Sequence, residues 1–562
     1  MKIFITYLLL FFGFQSLIAQ EELPKDYFSV PIKIPLQLSG TFGELRSNHF
    51  HSGLDIRTQQ KEGIPIYAAA DGYVSRIKIA HFGYGKALYI QHPNGYSTVY
   101  AHLQSYAGAI ADYIKEKQYQ RESYEIEVFP EADKLPVKKG DLIAYTGNSG
   151  GSGGPHLHFE IRDNASRPMN PLLFGIPIAD SKKPMINSVY VYPQQDAHVN
   201  QNANPQRIRL ILQKDGNYIA EKIKAHGTLG FGVSANDRQD ASPNRNGIYG
   251  IETTYNGAPS LSIVFDKFSF AETRYINRYI DYKHWQEHKS KLQKLFIEEN
   301  NPLHMFKSHT NRGYVYVEKG LDAVYTMAVT DAAGNETMIT IPIEGIDAPV
   351  LTEKVVETFP YPVYANEATS IKEGKFSIYI PSKSLYEDTT LNISADDNLL
   401  HFHTDDTPIH KNITITADVS NYKDADIDKV YIGRWMGWGT PYYVKTTRNG
   451  NKLSAKTRTF GDYKLVADSI APKITPFNFA DGRWISNNET LEIKVEDEHS
   501  GIKSYRATLN GAWILMEYEY KKDLLTFDFS NNIVTDTEYN LKLIVTDNVG
   551  NSSTFEATFY RK

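Results

Sequence analysis

The chain is predicted to be mostly β: an N-terminal antiparallel domain, barrel-sandwich-like in architecture, followed by β-sandwich modules. Three observations carry this expectation. Tyr (38) and Phe (27) are abundant, and aromatic residues favour the pleated, half-buried surface of a sheet. Up to about residue 178 the chain runs in short apolar stretches punctuated by glycine. Among them Asp71-Gly72 and Asn94-Gly95 suit two-residue hairpins, because glycine accepts positive φ there. Beyond Lys183, apolar and polar residues alternate between turn signals, the period of a strand with one buried face. With 562 residues the chain exceeds one hydrophobic core and should divide into several domains.

Residues 1–20 read as a secretory signal peptide: Lys2, an apolar run from Ile3 to Phe12, and small residues from Ser16 to Gln20. The domain expected over 21–180 contains six candidate strands: 64–70, 72–80, 86–92, 96–102, 141–148 and 156–162. The run from Gly147 to Gly154 is too rich in glycine for a regular element. An insert over about 107–134 carries a helical pattern and then Tyr124 to Phe129, an exposed, charged excursion from the sheet. Next come an immunoglobulin-like β-sandwich region over 181–348, a β-rich region of unknown type over 349–468, and a second immunoglobulin-like β-sandwich over 469–562. The two sandwich regions share an echo, Val329-Thr-Asp-Ala-Ala-Gly-Asn335 and Val545-Thr-Asp-Asn-Val-Gly-Asn551. Both resemble bacterial immunoglobulin-like domains, in which the Asp and Gly-Asn shape a hairpin. The absence of cysteine excludes disulfides and a lipid-modified N-terminal Cys. A net charge of −6 without a basic stripe argues against nucleic acid and anionic membrane surfaces as partners. No segment beyond the signal peptide suits a membrane span.

Histidines gather in three places: His49-Phe-His51-Ser-Gly-Leu-Asp55, Tyr100-Ala-His102-Leu103 and Gly154-Pro-His156-Leu-His158-Phe-Glu160. On a strand His156 and His158 would share one face, with Leu157 and Phe159 packed behind. Alone, such a pair is equally a pair of hydrogen-bonded surface histidines. His51, Asp55 and His158 together offer two nitrogens and a carboxylate to a metal, the ligand count of a catalytic zinc that keeps a position for water, with His156 and His102 left over for proton and charge work. His49 would share the face of His51 on a strand as a spare ligand. His401-Phe-His403-Thr-Asp-Asp406, with His410 near, is a further donor cluster, but lacks flanking glycines and apolar framing.

The motifs resemble the signature of the lysostaphin-like (LytM-type) zinc metallopeptidases, and they occur in that family's order over roughly residues 35–178. Pro65 to Gly72 and Val137 to Asn148 resemble the same family. The resemblance implies Zn²⁺ held by His51, Asp55 and His158, with His156 and His102 as catalytic residues whose separate roles spacing does not fix. It further implies an exported endopeptidase, wall-associated in the periplasm or outside the cell, that hydrolyses stem peptides or cross-bridges of bacterial peptidoglycan. The alternative is a non-catalytic wall-binding scaffold or an activator of other wall hydrolases. The family joins the His102 motif to the stretch that begins at Val137 by a short link, whereas here the insert intervenes, as a lid on the groove or as a surface excursion. Any protein partner of the C-terminal modules is left open.

Overall fold

The segment that leads into His51 does not fold on its own strands alone. In this computed structural model, which describes residues 23–240, 242–423, 426–531 and 536–562, Phe42 and Phe50 are buried in the core of the following module. The signal peptide expected over 1–20 lies outside the described residues.

The N-terminal sheet is antiparallel throughout. Its strands are β1 (Leu38–Gly40), β2 (Leu54–Arg57), β3 (Pro65–Tyr67), β4 (Gly72–Ile79), β5 (Lys86–Gln91), β6 (Ser97–Ala101) and β7 (Leu103–Tyr106). The helix α1 (Gly108–Arg121) follows, then β8 (Ile126–Val128), β9 (Pro136–Val137), β10 (Leu142–Thr146), β11 (His156–Arg162) and β12 (Pro168–Met169). One sheet runs β1-β2-β11-β6-β5-β4-β8, with β12 on β11 and β9 on β4. A second sheet, β3-β10-β7, shares its core, which includes Leu54, Ile66, Leu88, Tyr100, Ile143 and Phe159. All six strands expected from the sequence form, each trimmed by at most a few residues at its ends.

The insert departs from the expectation of an exposed excursion. Ile110, Ile114 and Gln118 recur at helical spacing and are buried on one face of α1. The helix stops at Glu122, which adopts a left-handed conformation at φ 45°. The chain then returns as β8, pairing Ile77 with Val128 and Ile79 with Ile126, so the insert extends the sheet by one edge strand.

In the second module the strand Ile223–Asn236 joins the two halves expected of a sandwich into one thirteen-stranded sheet with a single core. The third region pairs two five-stranded sheets, and the fourth pairs a four-stranded with a five-stranded sheet. The echoed hairpins are built alike. Asp331 Oδ1 accepts from the amides of Ala333 and Asn335, and Asp547 Oδ1 from those of Val549 and Asn551.

The fourth module folds back onto the first. Tyr119 of α1 packs edge-on against Trp513 at 5.2 Å, Arg506 pairs with Glu122, and Lys86 Nζ donates to both Glu517 oxygens at 2.8 Å. Among the described residues no helix is long and apolar enough to cross a membrane.

Candidate metal centre and active site

Strand β11 lies between β2 and β6, in a register that sets His158 opposite Asp55 on one side and Ala101 on the other. Alternation along β11 turns His156, His158 and Glu160 to one face and buries Leu157 and Phe159 completely on the other. His51 precedes β2 in a loop whose amide donates to Glu44 O.

These elements bring His51, Asp55 and His158 to one point. His51 Nε2 lies 2.9 Å from Asp55 Oδ1, His158 Nδ1 lies 2.9 Å from the same oxygen, and the two nitrogens are 3.1 Å apart. The remaining contacts fix the protons. His51 Nδ1 donates to Thr41 O at 2.8 Å, and His158 Nε2 donates to Glu160 Oε1 at 2.8 Å. In the neutral rings Nε2 of His51 and Nδ1 of His158 are therefore bare lone pairs. Three buried acceptors that face one another need a cation between them. Three ligands of a tetrahedral zinc, at bonds of about 2.0–2.2 Å, stand about 3.3–3.6 Å apart; the observed triangle, with sides of 2.9–3.1 Å, is a few tenths of an ångström tighter. Asp55 Oδ2 is occupied by Arg46 Nη2 at 3.0 Å, which leaves Oδ1 as the single free donor. Two imidazoles and one carboxylate suit zinc, so the residues present fit the metal.

The electrostatics agree. Burial would raise the Asp55 carboxyl, but the imidazoles gathered around it, His51 first and then His156 and His158, hold it well below the usual carboxylate range. Burial opposes protonation of His158, yet Asp55 and Glu160 lift that imidazole to about 9. Surroundings that draw a proton to a buried nitrogen also draw a metal cation.

His102 and His156 stand beside this point with ring centroids 4.7 Å apart. His102 Nδ1 donates to Ser149 O at 2.8 Å, and His156 Nδ1 donates to Gly154 O at 2.9 Å. Both rings therefore carry their lone pair at Nε2, and His156 Nε2 lies 3.4 Å from Asp55 Oδ1. Burial, and then His156 and His158, push the His102 imidazole down to about 3. His102 also takes a left-handed backbone, φ 59°, a strain of order 1–3 kcal/mol. The glycine-rich loop supplies both carbonyls. At Gly150, φ 73°, a Cβ would lie 2.3 Å from the Gly85 amide nitrogen, so only glycine lets the loop close on the β4–β5 turn.

One buried residue was quoted in the motif but given no role by sequence reasoning. Glu160 is completely buried and accepts from His158, from Ser52 Oγ at 2.7 Å, from Arg162 Nε at 2.6 Å and from the Tyr84 hydroxyl. Burial would raise its carboxyl, but Arg162 and His158 hold it far below the usual range. Its position two residues after His158 was the available signal. Tyr84, whose ring stacks on His158 at 5.2 Å, had none.

The other candidate donors stay apart from the site. Residues 47–51 form no strand, so His49 does not share a face with His51; it is exposed and donates from Nδ1 to Ser47 O. His401 pairs with Asp462, His403 packs between Phe359 and Phe460, and His410 bonds the Tyr386 hydroxyl. Those three rings do not converge.

Fold and site define a metallopeptidase domain: residues 49–119 and 131–171 match the peptidase family M23, and the N-terminal module belongs to it. The gap in that match, 120–130, falls inside the insert. Residues 360–468 match a Zu5-like domain, which gives a type to the region the sequence left unassigned. The chain is 31% identical over 158 residues to the DD-carboxypeptidase/endopeptidase Mpg of Neisseria meningitidis, covering 27% of this chain and 30% of that protein. It is 33% identical over 167 residues to the peptidoglycan DD-endopeptidase ShyA of Vibrio cholerae, covering 29% and 33%. The match thus spans about a third of these relatives. A zinc-containing peptidase from Vibrio cholerae is a structural neighbour at 26% identity and a TM-score of 0.20, covering 27% of this chain and 41% of that one.

Proposed function

We propose that this protein is an exported, zinc-dependent endopeptidase that hydrolyses peptide bonds in peptidoglycan, wall-associated in the periplasm or outside the cell. The observation that carries the reading is the triangle of bare lone pairs on His51, Asp55 and His158 beside two histidines whose Nε2 atoms are free to take a proton. His51, Asp55 and His158 would hold the zinc, which supplies Lewis acidity towards a peptide carbonyl and acidifies water. His156 Nε2 accepts the proton of the attacking water, and the imidazolium returns it to the leaving amine. His102 holds the second position. Neutral, with its proton on Nδ1, its Nε2 accepts a hydrogen bond from the attacking water and holds it for His156. Help of this kind contributes about 10²–10⁴-fold. The carbonyls of Ser149 and Gly154 fix both tautomers, so the loop between β10 and β11 acts as an orienting element.

The named activities of the relatives support a D,D cross-link between stem peptides as the bond cut. The complete donor set speaks against a non-catalytic scaffold. Digestion of purified peptidoglycan, with mass spectrometry of the fragments, tests both points. Cleavage should stop with a chelator, return with zinc, and be absent in His158→Ala, which should also lose bound zinc. Undiminished cleavage by that variant would overturn the reading.

A further inference from the structure

Two further groups of carboxylates lie outside the peptidase site, at the seams of the chain. Asp180, Asp237 and Asp331 place one oxygen each within 4.8 Å of one another, and so do Asp468, Asp497 and Asp547. The groups are built to one plan. Asp180 stands in the stretch that leads into the second module, and Asp468 in the stretch that leads into the fourth. Each donates its place to the same framework. Asn335 Nδ2 donates to Asp180 O and Asp331 Oδ2, and Asn551 Nδ2 donates to Asp468 O and Asp547 Oδ2. Asp331 and Asp547 are the aspartates of the echoed sequence.

Burial makes the groups costly as they stand. Asp237, Asp331, Asp468 and Asp547 are all at most 3% exposed, and among the described residues none of the six carboxylates forms an ion pair with Lys, Arg or His. Like charges at this distance in a buried setting repel strongly unless a cation joins them. Independently, two buried polar atoms within these groups have no partner: Asp237 Oδ1 in the first, and in the second the Oγ of Ser500, whose amide donates to Asp468 Oδ2. A buried oxygen left bare is rare and calls for a ligand.

We infer that each triad binds a divalent cation, Ca²⁺, which ties the linker carboxylate of Asp180 or Asp468 to the module that follows it. The donors are all oxygen, the set that selects hard cations over zinc. Oxygens within 4.8 Å of one another need only a small inward adjustment to reach one ion at the calcium distance of about 2.3–2.6 Å, and irregular linker geometry suits calcium better than the strict octahedron of magnesium. Three carboxylates with one Ca²⁺ leave a single negative charge in place of three.

The test uses the zinc-loaded full chain, dialysed against metal-free buffer and then against calcium at about 1 mM, the weak end for such sites. Bound calcium should be two per chain in the natural protein, one in Asp237→Asn, one in Asp468→Asn and none in the double variant, with zinc content unchanged in all. Thermal unfolding separates a cation site from a hydrogen-bonding role. Without calcium the Asn variants should melt no lower than the natural protein, since a like charge is gone. Calcium should raise the melting temperature of the natural protein by several degrees and leave the double variant where it was. No bound calcium in the natural protein, or two per chain retained by the double variant, would overturn the inference. Magnesium binding equally well at the same concentration would overturn the choice of calcium.

Discussion

Glu160 illustrates how one buried charge governs a site it does not join. Its Oε1 fixes the tautomer of His158, its Oε2 holds Arg162, and the Tyr84 and Ser52 hydroxyls complete its shell. A carboxylate behind a ligating imidazole keeps the proton off the metal-facing nitrogen and makes the ligand more basic. Glu160→Gln preserves shape and an acceptor for His158 but removes the charge and strands Arg162. Zinc affinity should fall about 10–100-fold, read by competition with a chromophoric chelator. Undiminished affinity would show that geometry alone sets the ligand. Gly150 acts at the same scale through the backbone. Gly150→Ala must shift the loop, because its φ of 73° and the 2.3 Å approach to Gly85 leave a Cβ no room. The Ser149 carbonyl would then move from His102. The variant should lose hydrolysis rate by at least tenfold, about 1.4 kcal/mol of barrier, while keeping its zinc.

At the scale of elements, the loop before β2 depends on the second module as much as on its own sheet. Phe50, the neighbour of His51, packs against Phe265, Phe268 and Tyr279, and Thr273 Oγ1 accepts from its amide at 2.8 Å. Phe50→Ala should cost about 3–5 kcal/mol, seen as a lower denaturant midpoint, and should weaken zinc binding because His51 loses its anchor. Normal zinc affinity in the destabilised variant would separate the two. This coupling also marks the limit of what was readable in the sequence. The six strands carrying the motifs were legible because glycine punctuation and alternation are local signals. So was the periodicity of α1, whose buried face nevertheless went unread. Strands such as β8 and β9 are too short to carry a period, and pairing of β8 with β4 is a matter of register. Phe42 and Phe50 look like ordinary core residues of the first domain, and nothing local assigns them to a core built some two hundred residues later. The five candidate residues that the fold brings together could be named, since histidine and aspartate in fixed motifs are distinctive. Thr41 O, Arg46 and Tyr84, which orient and neutralise them, sit in no motif.

Across the whole molecule, the fourth module forms one wall of the active-site rim. Lys521 Nζ donates to the carbonyls of Asn148, Gly150 and Ser152, and the Tyr520 hydroxyl donates to Gly150 O at 3.2 Å. That loop is the one whose Ser149 and Gly154 carbonyls hold His102 and His156. Tyr520 also packs on Phe82 at 4.6 Å, and Glu517 neutralises the nearly buried Lys86. The module grips the insert and the loop together, some 370 residues away in sequence. Two consequences compete: the grip orders the loop, which favours chemistry, and it narrows the approach for a bulky polymer. They differ in how they depend on substrate size. Ordering acts equally on every substrate, whereas narrowing weighs on a cross-linked sacculus and barely on a short muropeptide. Among the described residues the module flanks His102 and His156 without a hydrogen bond or ring contact to either, so narrowing should dominate. Lys521→Glu sets a carboxylate against the same carbonyls and should part the contact, since hydrogen bonds to a charged donor contribute about 1.5–3 kcal/mol. The expected outcome is a several-fold higher rate on intact sacculi with little change on a soluble cross-linked dimer, measured side by side at equal zinc content. A matching loss on both substrates would assign the module to bracing the loop.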